Sequence, residues 1–115
     1  MSQDAAPFAL VVRFTVRPEA VEGFDALVAE TVAGIREREP GTLVYACHRV
    51  EGQPQQRIFY ELYRDRAAFA AHEASEHTRR FLTKRGELLE TYEVDRLTLA
   101  DGKTPALSEV ATHDA

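Results

Sequence analysis

The chain of 115 residues contains no tryptophan, no asparagine and a single cysteine, Cys47. One cysteine excludes a disulfide within the chain and suits a reducing compartment, so a cytoplasmic location is expected. No apolar run is long enough for a signal peptide or a membrane span, and no membrane partner is expected. Positive charge is in deficit: 14 Lys and Arg stand against 19 Asp and Glu, a net charge of −5. Nothing would neutralise phosphates, which argues against a nucleic-acid partner. A glycine-rich phosphate loop, a Cys/His zinc spacing and an internal repeat are also lacking. What remains, 44% hydrophobic and 29% charged, is the composition of one soluble domain.

The periodicity divides the chain into alternating elements. Residues 1–7 read as a loose leader. FALVVRFTV then alternates, with Leu10, Val12, Phe14 and Val16 on one face, as a strand with one deeply buried side requires. Pro18 stops it and opens a helix from Glu19 to about Arg38, striped by Val21, Phe24, Leu27, Val28, Val32 and Ile35. Glu39-Pro40-Gly41 reads as a stop and turn. TLVYACHRV (42–50) and RIFYELYR (57–64) read as strands joined through the polar EGQPQQ turn into a hairpin. Asp65 is placed to cap a short helix from Arg66 to Glu73. Ser75 is placed to cap a second, running to about Thr91 with Phe81, Leu82, Leu88 and Leu89 inward. YEVDRLTLA (92–100) is a fourth strand, and residues 101–115 a polar tail.

The folded domain, 8–100, is thus an α+β, ferredoxin-like β-α-β-β-α-β unit: a four-stranded antiparallel sheet with its helices on one face. Both strand faces carry apolar residues, Val11 against Val12 and Phe59 against Tyr60. A sheet apolar on both sides needs a second cover, and a homodimer packing sheet on sheet supplies it.

AHEASEH, residues 71–77, nearly spells the HExxH of a zinc protease. Its histidines, however, are five apart, which puts them about 140° apart around a helix. One metal ion cannot take both from a regular helix, so no metal is expected. A cap at Ser75 between them predicts a kink that would let them approach.

VVRFTVRPEAVEGFDALVAE, EPGTLVYACHR, FYELYRDRAAFAAHEASEHTRRF and VDRLT together resemble the antibiotic biosynthesis monooxygenase family of dimeric α/β barrels, over roughly Phe8 to Leu99. The resemblance implies a dimer with a pocket between sheet and helices in each subunit. Some such relatives oxidise quinols or anthrone-like polyketides with O2, using neither metal nor flavin. Others degrade haem, isomerise a small phosphorylated ketone or have no assigned activity. The haem-degrading relatives share a first-strand asparagine, a third-strand tryptophan and a helical histidine. This chain has no asparagine or tryptophan, Tyr63 stands at the tryptophan position and Leu82 near the histidine one. Haem degradation is therefore not expected. The polyketide oxidases also often use that tryptophan, so Tyr63 is a departure from them as well.

The expected function is a cofactor-independent monooxygenase acting with O2 on a small quinol or anthrone-like aromatic. The alternatives are a non-catalytic ligand-binding or stress-associated dimer and a phosphorylated-ketone isomerase. Oxygenation of this kind needs a base near neutral pKa and a donor to a developing oxyanion. His72 is the first candidate base, because histidine titrates near neutrality. His48 is the second, with Glu61 across the hairpin as its expected partner. Tyr63 is a candidate oxyanion donor. Glu61, His77, Phe81 and Arg13 are candidate substrate-binding residues, with a dimer salt bridge the other reading of Arg13. Cys47 reads as core packing.

Overall fold

A computed structural model describes residues 6–105. The strands are β1 (Phe8–Val16), β2 (Thr42–Val50), β3 (Gln53–Tyr63) and β4 (Leu89–Thr98). The α-helices are α1 (Val21–Arg38), α2 (Arg66–Ala74) and α3 (Glu76–Arg85), and a 3-10 turn, Pro18–Ala20, precedes α1. The sheet runs β2-β3-β1-β4 with every neighbouring pair antiparallel, the ferredoxin-like α+β arrangement. The second helix of the motif is split in two at Ser75, whose ψ of 148° takes the backbone out of the helix. Most of the expected leader and tail lies outside the described residues. No described helix is long and apolar enough to cross a membrane.

The alternation of β1 sends Leu10, Val12, Phe14 and Val16 into the core with Phe24 and Leu27 of α1, Phe59 and Tyr63 of β3, and Phe81 of α3. Phe14 is the hub: its ring centroid lies 4.7 Å from Phe59, 5.4 Å from Phe24 and 6.1 Å from Phe81. Burying each of these rings stabilises the fold by about 1.5–3 kcal/mol. A buried arginine, Arg57, closes one end of this layer by a two-pronged pair with Asp25 of α1, 2.9 Å on each arm.

Strand register assigns every residue to a face, since directly paired residues point the same way. Under the helices lie the rows Glu61–Leu10–Arg96, Phe59–Val12–Val94 and Arg57–Phe14–Tyr92. On the open face lie Leu62–Ala9–Leu97, Tyr60–Val11–Asp95 and Ile58–Arg13–Glu93. His48 pairs with Ile58, so it belongs to the open face too.

Three expectations need correction. The hairpin turn is two residues, Glu51-Gly52, because Gly52 takes φ 77° and returns the chain at once, so that Val50 already pairs with Gln53. α3 stops at Arg85 instead of reaching Thr91. The Arg17 amide bonds the Leu88 carbonyl at 2.9 Å and Leu89 pairs with Val16, which draws the chain into the sheet three residues before Tyr92. Leu82, expected inward, is 41% exposed beside the similarly exposed Tyr92 and Val94.

Candidate active site

The site begins at the end of α1. Glu39 lies just past the last helical residue, its amide bonded to the Ile35 carbonyl at 3.1 Å. That is the negative end of the helix dipole, where a carboxylate is locally unfavourable. Its charge is met from elsewhere. Thr42 donates its hydroxyl to Oε1 at 2.7 Å, and His72 donates from Nδ1 to the same oxygen at 2.8 Å. His77 donates from Nε2 to Oε2. Ser75 Oγ lies 3.2 Å from Oε2, 2.7 Å from the His72 carbonyl and 2.8 Å from Thr78 Oγ1. Burial pushes the Glu39 carboxyl up, but hydrogen bonds from Thr42 and His77, with the charge and hydrogen bond of His72, outweigh it and hold the group ionised below its ordinary range. The break at Ser75 is what lets two histidines five apart converge on this one carboxylate. Among the described residues no three His, Cys, Asp or Glu side chains are disposed to hold a metal ion.

An ionised Glu39 fixes the proton of His72 on Nδ1. Nε2 then carries a free lone pair. No buried side-chain nitrogen or oxygen among the described residues lacks a partner, and Nε2 has no protein partner, so it is open to the cavity that His72 lines. Burial holds the His72 pKa below its ordinary value, despite the opposing pull of Glu39. Burial thus favours the neutral imidazole, the form able to accept a proton.

The cavity, about 230 Å³, lies between the sheet and α2–α3. Phe14, Phe69, Phe81, Leu10 and Val12 make its apolar wall, while His72, Tyr45, Glu61, Glu73, Arg85 and Arg96 bring polar groups. Burial raises the Glu61 carboxyl to about 7, against the hydrogen bond from Tyr63 and the charge of Arg85, which pull it down. Tyr45 packs against His72, ring centroids 5.4 Å apart, and has no hydrogen-bond partner for its hydroxyl among the described residues. Burial, then the Glu61 charge, raise its pKa well above the usual value, so it remains an O–H donor.

The structure brings His72, Glu61 and Phe81 to one cavity. His77 stands behind His72, on the far side of Glu39. Tyr63 is buried and donates to Glu61 Oε1 at 2.6 Å, so it backs the carboxyl and does not face the cavity. His48 and Arg13 are on the other face of the sheet. His48 reaches only the Ile58 carbonyl, at 3.2 Å, and the expected His48–Glu61 pair is not formed: the hairpin register sets Tyr45 opposite Glu61. Arg13 bonds Gln56 Oε1 at 3.1 Å. Cys47, whose thiol burial pushes up to about 12, is no nucleophile. Sequence reasoning missed Glu39, Tyr45 and Arg85. Only Glu39 left a signal, an acid at a helix C-terminus with nothing local to justify it.

Gly34 of α1 belongs to this site. A Cβ there would lie 2.5 Å from His77 Cγ and 2.9 Å from its Cβ. Glycine to alanine within an open helix normally gains about 1 kcal/mol. Here Gly34→Ala is expected to lose about 1–3 kcal/mol by overpacking. Urea denaturation reads the difference, and a gain in stability would contradict the close helix contact.

A family model described as antibiotic biosynthesis monooxygenase matches residues 7–84. Among curated proteins nothing matches. Among solved structures the chain is similar to Rv0793 from Mycobacterium tuberculosis, at 28% identity over 86% of this chain and 100% of that one, TM-score 0.80. It is similar to PA3566 from Pseudomonas aeruginosa, at 27% identity over 87% and 100%, TM-score 0.76. It also resembles a structure described as an antibiotic biosynthesis monooxygenase, at 25% identity over 82% and 99%, TM-score 0.75.

Proposed function

The chain belongs to the antibiotic biosynthesis monooxygenase family, and on that premise we propose that it oxygenates a hydroquinone or related electron-rich phenol with O2, without a cofactor. The observation that carries the reading is His72: one ring nitrogen is tied to an ionised Glu39, and the other opens on an aromatic-lined cavity.

The chemistry balances without an added reductant. A hydroquinone and O2 give a hydroxyquinone and water, the substrate supplying all four electrons. His72 Nε2 takes the phenolic proton, and the resulting anion passes one electron to O2. The radical pair closes a C–O bond, forming a ring hydroperoxide. Loss of the proton from that carbon and cleavage of O–O release water and leave the new carbonyl oxygen on the ring. Glu61, titrating near neutrality, is suited to take the second proton, and the Tyr45 hydroxyl to donate to the phenolate oxygen.

Metal-stripped protein is expected to consume O2 with a panel of small hydroquinones faster than the uncatalysed solution. Consumption at the background rate across the panel would sink the reading.

The assembly that goes with this function is a homodimer through the open sheet face. Val11, Ile58, Tyr60 and Leu97 give that face its apolar area, and Arg13 and Glu93 stand side by side on it. Sedimentation at the monomer mass would rule it out. A cytoplasmic location fits a chain whose lone thiol is unpaired.

A further inference from the structure

Two arginines on the cavity wall have no ion-pair partner among the described residues, although the charge of one, Arg85, is felt by Glu61. Arg85, the last residue of α3, is half-buried. Its guanidinium carbon sits 4.4 Å from the Tyr92 ring centroid and 6.0 Å from that of Phe14. Arg96 of β4 stands in the row with Glu61 and Leu10. Both line the cavity, at the side where the exposed Leu82, Tyr92 and Val94 form its mouth. Elsewhere in the fold Arg57 is paired with Asp25, and Glu39 is hydrogen-bonded by its histidines. Among the described residues neither Arg85 nor Arg96 has a carboxylate in ion-pair range.

Stacking on Tyr92 accounts for the face of the Arg85 guanidinium but not for its edge. The N–H donors radiate in the plane of the group, and none has a protein acceptor among the described residues. A stacked, half-desolvated fork with free donors is suited to a planar anion. The cavity volume, about 230 Å³, is below the roughly 300–1,000 Å³ of sites for drug-sized ligands. It suits one or two fused rings better than a larger polycycle.

Resting on the oxygenase reading, we propose that the substrate is a one- or two-ring hydroquinone carrying a carboxylate, received by Arg85 at the cavity mouth with Arg96 beside it. A carboxylate fits better than a phosphate. One fork matches two coplanar oxygens, whereas a phosphate dianion would meet Glu61 and Glu73 on the same wall with only two cations to offset them.

The test is calorimetric titration of the full chain under nitrogen, with 1,4-dihydroxy-2-naphthoate and the matching 1,4-dihydroxy-2-naphthamide. The wild type is expected to bind the acid about tenfold or more tighter than the amide, the scale of a charge-assisted contact. Arg85→Met is expected to bring the ratio of the two affinities close to unity. Arg85→Lys, which keeps the charge but loses the fork, retains part of the preference and serves if the methionine variant does not fold. Equal affinities in the wild type, or a ratio undiminished in either variant, would overturn the carboxylate site while leaving the hydroquinone cavity standing. Binding of neither ligand would overturn both. A preference for the acid without O2 consumption would keep the site and remove the oxygenase.

Discussion

His72→Ala is expected to lower kcat/KM for hydroquinone oxidation by about 10²–10⁴-fold, the usual contribution of a positioned general base. The size follows from how much is arranged around one nitrogen. Glu39 orients the ring and fixes its tautomer, Tyr45 packs on it, and burial disfavours its charged form. The fold should survive. Glu39 keeps Thr42, His77 and Ser75 as partners, so the expected stability loss is about 1–3 kcal/mol, which urea denaturation measures. Steady-state O2 uptake measures the rate. Unchanged kcat/KM would remove His72 from the chemistry and leave Glu61 as the base. His48 could not inherit the role, because the sheet stands between it and the cavity.

Glu61→Gln is expected to change both the pH profile and the stability in directions fixed by one displaced titration. In the fold Glu61 titrates at about 7, against an ordinary value of 4.5. Between those values the folded protein holds a proton that the unfolded chain has released. Stability contributed by the protonated carboxyl is therefore complete at low pH and is lost as pH rises through about 7. At 1.36 kcal/mol per pK unit the loss is roughly 3 kcal/mol. Glutamine keeps a carbonyl to accept from Tyr63 and never ionises. The variant should match the wild type at about pH 4 and be more stable by up to about 3 kcal/mol at about pH 8. A gap that does not change with pH would show that Glu61 is not displaced. In activity, the wild-type kcat/KM should rise to a plateau above about pH 7 as Glu61 becomes a carboxylate, and the variant should lose that rise. His72 does not set this midpoint, since burial shifts its titration downward.

Local pattern was sufficient for the fold because each element declares its own buried face. FALVVRFTV shows its inward row at period two, and Asp65 caps α2 as its residue type suggests, accepting from the Ala68 amide at 2.8 Å. The boundaries that moved did so for tertiary reasons: Leu89 leaves the helical stripe because Val16 is there to pair with it. The site was less legible. The histidines of AHEASEH stood out by composition, but their target lies 33 residues from His72 in the chain. Spacing on an unbroken helix says they diverge; the extended backbone at Ser75 makes them converge. Tyr45 and Arg85 look like any strand tyrosine and any helix-end arginine. Only the packing of α3 against the sheet gives them a cavity. His48 was misplaced because alternation shows which strand residues share a face, but not which face the helices cover at the sheet's edge.

Oxygen insertion at this cavity is measured most directly by the fate of isotope-labelled O2 during turnover of a hydroquinone by the metal-stripped protein. The expected product is a hydroxyquinone carrying one labelled oxygen atom on the ring, formed with one O2 consumed per product and no hydrogen peroxide released. A quinone without labelled oxygen, accompanied by hydrogen peroxide, would make the protein an oxidase at most and contradict the assignment of oxygen insertion to this cavity.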